Sequence, residues 1–130
     1  MYMLDTNTVI YHFKGLGRVS EHLLSVAVDE LLLPSLVIFE LQVGVAKAGS
    51  PAKRLNQLEQ FINAIHEVPF GKQEALCAAS VRADLEQQGM PIGCIDVLIA
   101  GMALAHQATL VTHNISEFSR VKGLNIVDWY

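Results

Sequence analysis

The chain has 130 residues, 52% of them hydrophobic and 17% charged, with a formal net charge of −4. That is enough for one domain, residues 1–130, with a proper core, and too acidic for a generic nucleic-acid-binding module, which is usually basic. No apolar run approaches the roughly 18 residues of a membrane span and no charged leader segment opens the chain, so a soluble, cytoplasmic protein is expected.

In chain order, residues 2–4 read as a short strand, with Asp5 directly after it. Thr6 or Asn7 is expected to cap a helix running to about residue 13, and a second helix follows Gly15-Leu16-Gly17. Residues 31–33 form the next strand before Pro34, and Ser35 is expected to cap a helix to about residue 48. Gly49-Ser50-Pro51 breaks it, with Pro51 suited to the first turn of a helix over residues 52–65. A third strand is expected at 67–70, and a long helix from 72 to 88 stops at Gly89. The stretch GCIDVLIAGMALA, residues 93–105, makes another helix ending near His106; residues 109–112 and 125–128 are the last strands. Short apolar strands alternating with helices imply a parallel sheet covered on both faces. In such sheets, sites lie beyond the carboxyl ends of the strands.

Three acids stand out under that rule. Asp5 follows the first strand. Glu40 shares a helix face with Leu36, Val37, Val43 and Gly44. Asp96 shares one with Ile92, Ile99, Ala100 and Ala103, a stripe on which an ionised carboxylate is rarely left unpaired. A lone acid after a strand is commonly a helix cap, and one on an apolar helix face commonly meets a buried Arg or a backbone amide. Here no basic residue is an obvious partner, and converging carboxylates without a cation repel one another. A bound divalent ion would relieve that, and an all-oxygen site suits Mg²⁺ or Mn²⁺ rather than zinc. The five histidines show no ligand spacing, and Cys77 and Cys94 are too few for a disulfide scaffold or a zinc site. His106 is expected to help end its helix; His113 follows the fourth strand, near the expected site.

LDTN, FELQVG, PIGCIDVLIAGMALA and LVTHNISEF, taken in order, resemble the PIN-domain nucleases and among them the VapC ribonuclease toxins. The resemblance covers the whole chain. It implies a three-layer α/β/α fold with a parallel sheet ordered 3-2-1-4-5, and a Mg²⁺- or Mn²⁺-dependent endoribonuclease of a type II toxin–antitoxin pair. Its RNA substrate would be structured, often tRNA, and it would be a homodimer silenced by a VapB-type antitoxin. Asp5, Glu40 and Asp96 match the acids shared across the family, with Asp5 and Asp96 as metal ligands. The fourth acid matches Glu117, though Glu117 also reads as a surface residue of a Ser116–Phe118 turn. Asn114 and Thr6 match site-lining positions, and Thr6 reads equally well as a helix cap.

Four carboxylates confined to one site would account for the whole net charge. Lys47, Lys53 and Arg54 are the candidate RNA phosphate contacts, and no interleaved aromatic platform for base stacking is visible. Leu58, Phe61, Ile62 and Leu76 give the middle helices more apolar positions than one sheet face covers, which also points to a homodimer. A receiver domain would need paired acids after the first strand, and a haloacid-dehalogenase phosphatase an aspartate where Asn7 stands. An inactive PIN fold kept as a partner-binding module stays open as an alternative.

Overall fold

The computed structural model describes all 130 residues. Five parallel strands form one sheet: β1 (Tyr2–Leu4), β2 (Leu31–Pro34), β3 (His66–Val68), β4 (Thr109–Val111) and β5 (Ile126–Val127). Their order is β3-β2-β1-β4-β5, as expected. Tyr2 pairs with Leu31 on one side and with Thr109 on the other, so β1 sits at the centre. Successive strands are added on one side of β1 and then on the other, and the crevice of such a sheet opens at the carboxyl ends of β1 and β4. All four residues of β2 are buried. Successive side chains point to opposite faces, so burial of all four requires cover on both faces, which is the three-layer arrangement.

Seven helices supply that cover: α1 (Thr6–Lys14), α2 (Val19–Ser25), α3 (Ser35–Lys47), α4 (Ala52–Ala64), α5 (Lys72–Gln87), α6 (Cys94–Ala105) and the single turn α7 (Ile115–Phe118). Two short helical elements go beyond the sequence reading: α7, where only a Ser116–Phe118 turn is expected, and a 3₁₀ turn over Val28–Glu30. Neither is long enough to show a periodic pattern. Three helix starts fall differently from expectation. Asp5, not Thr6 or Asn7, caps α1; Pro34 takes the cap position of α3; Pro51 lies just before α4. The third strand ends at Val68 rather than at residue 70, because Pro69 has no amide to donate to the ladder.

One core of 27 buried hydrophobic residues runs through the molecule. Its tightest contact joins α5 to α6, where a Cβ on Gly101 would lie 2.5 Å from the backbone of Ala78. Only glycine lets the two helices approach that closely, and α6 is thereby held against α5 with Asp96 at its start. The expected apolar surplus of the middle helices is mostly absorbed. Leu58 is fully buried, Phe61 and Ile62 pack on the core, and Leu76 remains exposed together with Leu24 and Phe39. No helix is long and apolar enough to cross a membrane.

Candidate active site

The site lies at the carboxyl ends of β1 and β4, where three helices begin. Asp5 continues the ladder from β1 by donating its amide to the Val111 carbonyl at 3.2 Å. Its backbone is extended, and its carboxylate accepts from the Thr8 amide at 2.9 Å, capping α1. Asp96 lies in the first turn of α6 and Glu117 in that of α7. Helix amino termini carry partial positive charge, so the fold sets its acids where backbone dipoles favour them. Glu40 is the exception. It lies in the middle of α3, and the Thr6 hydroxyl at the start of α1 donates to it.

Asp96 feels the other three carboxylates and Asp5 feels Glu40, although they come from far apart in the chain. Asp5 is 5% exposed, and burial pushes its carboxyl above the usual range. The hydrogen bond from the Thr8 amide and the nearby Thr112 hydroxyl oppose that rise, and repulsion from Glu40 adds to it. Asp96, half-buried, is pushed up to about 6, first by burial and then by Glu117, Asp5 and Glu40. None of the four ion pairs in the protein involves any of these acids; they are Arg18–Glu21, Arg82–Glu86, His106–Glu74 and His113–Asp128. No Lys, Arg or His side chain pairs with Asp5, Glu40, Asp96 or Glu117.

The supporting residues divide the acids into held and free. Thr8 also donates its hydroxyl to the Val111 carbonyl at 3.0 Å, locking the start of α1 onto β4. Thr112 is fully buried, and its hydroxyl accepts the Asn114 amide at 3.0 Å. Asn114 in turn donates its side-chain amide to Glu117. Thr6 and Asn114 thus act on acids, Glu40 and Glu117, and Thr6 is not the cap of α1. Asp96 has no such holder. Glycine at position 93 leaves room for it, since a Cβ there would crowd the Asp96 carboxylate at 3.2 Å.

The sequence reading missed Thr8 and Thr112. The signal for Thr8 was its place three residues after an aspartate that ends a strand, the spacing of a helix cap. The signal for Thr112 was a polar residue ending an apolar strand. It also missed an aromatic cluster assembled from distant segments beside the site. His113 stacks on Tyr130 with ring centres 4.3 Å apart, and Tyr11 meets Tyr130 edge-on at 5.0 Å. His113 also pairs with Asp128 at 2.8 Å. His106 does follow the end of α6, and it also reaches Glu74 of α5 at 2.9 Å. Of the candidate phosphate contacts, Arg54 lines a groove that Glu40 also lines, while Lys47 and Lys53 are simply exposed. Both cysteines are free.

As they stand, no three His, Cys, Asp or Glu side chains are arranged to hold a metal ion. Mg²⁺ keeps several waters and is typically bound through one or two carboxylates plus substrate phosphate. Asp96, crowded by like charge and without a partner, and Asp5, beside it, are the donor set that such an ion would relieve.

The chain is similar to known proteins along nearly its whole length. The PIN domain family matches residues 2–124. The tRNA(fMet)-specific endonuclease VapC of Salmonella typhimurium is 32% identical over 98% of this chain and 97% of its own length. Ribonuclease VapC2 of Rickettsia felis is 35% identical over 99% and 98%. Among solved structures, VapBC2 from Rickettsia felis bound to a promoter DNA fragment superposes with a TM-score of 0.92 at 34% identity, covering 99% of this chain and 98% of that one. DNA-bound VapBC from Salmonella typhimurium gives the same TM-score at 32% identity, with the same coverage.

Proposed function

The chain belongs to the PIN domain family, and on that premise we propose that it is a metal-dependent endoribonuclease toxin of a type II toxin–antitoxin pair. Ribonuclease activity is what its relatives are named for; dependence on Mg²⁺ or Mn²⁺ is our reading of this chain's own acids. The observation that carries it is the convergence of Asp5, Glu40, Asp96 and Glu117 without a cation. An inert partner-binding scaffold would have no use for that repulsion, and a neutral residue at any of the four positions would relieve it.

Asp5 and Asp96 would hold the ion. When bound, it supplies charge neutralisation at the scissile phosphate and activation of the attacking water, leaving a 5′-phosphate and a 3′-hydroxyl. The chain's own residues prepare for this. The Thr8 amide keeps Asp5 fixed and favours its ionised form. Thr6 orients Glu40, and Asn114 orients Glu117. Asp96 stays adjustable at the mouth of α6.

The substrate we propose is tRNA, because a relative of nearly the same length is named for a tRNA. The setting is then the cytoplasm. The silencing partner is a VapB-type antitoxin, since the neighbouring structures are VapBC complexes. Such a partner would place an Arg among the carboxylates, where a planar guanidinium pairs in bidentate fashion. A homodimer is also proposed, with exposed Leu76 as an apolar contact, and light scattering at micromolar concentration tests it.

The decisive experiment is end-mapping of total RNA after expression, with Asp5→Asn as control. Purified protein should cleave RNA with Mg²⁺ or Mn²⁺ and stop with EDTA. Full cleavage in EDTA would sink the metal dependence, and cleavage undiminished in the Asp5 variant would sink the site.

A further inference from the structure

A groove of about 300 Å³ lies between α1, α3 and α4, with Glu40 among its lining residues. Its floor is apolar, formed chiefly by Phe13, Leu41, Val45 and Leu58. Lys14, at the end of α1, and Arg54, in the first turn of α4, stand on its walls. Neither cation enters an ion pair, although Glu40 lines the same groove. Gly44 keeps one wall low, since a Cβ there would meet nothing within 4 Å.

We propose that this groove seats the RNA nucleotide next to the scissile phosphodiester, with its base on the apolar floor and its phosphate between Lys14 and Arg54. The inference rests on the ribonuclease reading above and gives that site its substrate-positioning residues. A polyanion laid across four carboxylates is repelled by them, and binding requires cations within a nucleotide or so of the cut. Lys14 and Arg54 are the cations that share a cavity with a site acid. An apolar floor beside paired cations is the combination that holds unstacked nucleotides without a sequence requirement. The volume is at the lower end for small-ligand sites, suited to one base rather than to a folded element. A peptide of the protein partner could also use an apolar groove, but two cations free of ion pairs, Lys14 and Arg54, favour a polyanion. Whatever presents a phosphate to the acids must extend along the strand into the space beside them.

The test is steady-state cleavage of bulk tRNA by the whole protein, with RNA binding measured in the Asp96→Asn background. Lys14→Ala and Arg54→Ala should each raise KM about 5- to 10-fold with kcat within about twofold, because they act on binding and not on the reacting atoms. Each should lower the slope of log affinity against log salt by about 0.7, the value for one phosphate contact on a single strand. Gly44→Leu fills the groove without changing charge, so it should raise KM with the salt slope intact. Melting temperatures unchanged from the parent exclude misfolding as the cause. If tRNA is cleaved and the double variant Lys14→Ala/Arg54→Ala keeps its KM and salt slope, the groove assignment is wrong while the ribonuclease reading stands. The groove assignment also falls if these variants weaken antitoxin binding alone. If the parent cleaves no RNA at all, both fall.

Discussion

Asp96→Asn keeps the shape of the side chain and removes the charge that the cluster resents. In the folded protein the Asp96 carboxyl is raised from 3.8 to about 6, with burial the leading cause and three neighbouring acids behind it. Two units correspond to about 3 kcal/mol of penalty on the ionised form. The group is only half-buried, so solvent screening cuts this to about 1–2 kcal/mol. Because the folded value lies above the unfolded one, the penalty is absent below about pH 4 and grows as pH rises through about 6. In EDTA at pH 7.5 the variant should therefore be the more stable protein by about 1–2 kcal/mol, which for a domain of this size is a melting temperature higher by roughly 3–8 °C. At pH 4 the difference should vanish. With about 10 mM Mg²⁺ the parent should gain by mass action, about 1.4 kcal/mol if the ion is at ten times its dissociation constant, and the variant much less. Thermal melts of the two proteins at both pH values, with EDTA and with Mg²⁺, decide it. A variant that melts lower in EDTA at pH 7.5, or a gap that ignores pH, would mean that Asp96 has a structural partner and that the repulsion argument is wrong.

Thr112→Val should leave the Asn114 amide without its acceptor and remove the nearby hydroxyl that opposes the rise of Asp5, at a cost of about 1–3 kcal/mol. Divalent-ion affinity should fall about 10- to 100-fold, as for other supports behind a ligand, and calorimetric titration would expose a Thr112 that does nothing by showing no change. Asp5→Ala should lose both activity and the cap of α1, destabilising by about 1 kcal/mol, whereas Asp5→Asn should lose activity and keep most of the stability; equal melting losses in the two would deny the capping role. Gly101→Ala places a methyl 2.5 Å from the Ala78 backbone and should cost about 1–3 kcal/mol or more, read by chemical denaturation, and a neutral result would contradict the close approach of α5 and α6.

The sheet order and nearly every long element were legible in the amino-acid sequence. The order itself came through the resemblance, while the elements came from residue pattern. Apolar strands and helices with long periodic faces announce themselves locally, as α5 and α6 did within a residue or two. The acids were legible for the opposite reason. Asp96 and Glu40 break an apolar face, and a broken pattern is as local as an intact one. What could not be read along the chain was every relation between elements. Thr6 donating to Glu40, Thr112 near Asp5, and Arg54 sharing a groove with Lys14 all join segments that only the packed sheet and helices bring together. The same holds for Tyr11, His113 and Tyr130, three unremarkable aromatics in sequence and one stacked cluster in space. Residue pattern reports which face of an element is buried, because burial is decided by the element's own period. Which side chains meet is decided by how two such faces are set against each other, as where Gly101 lets α6 close on α5, and that depends on packing no single stretch contains.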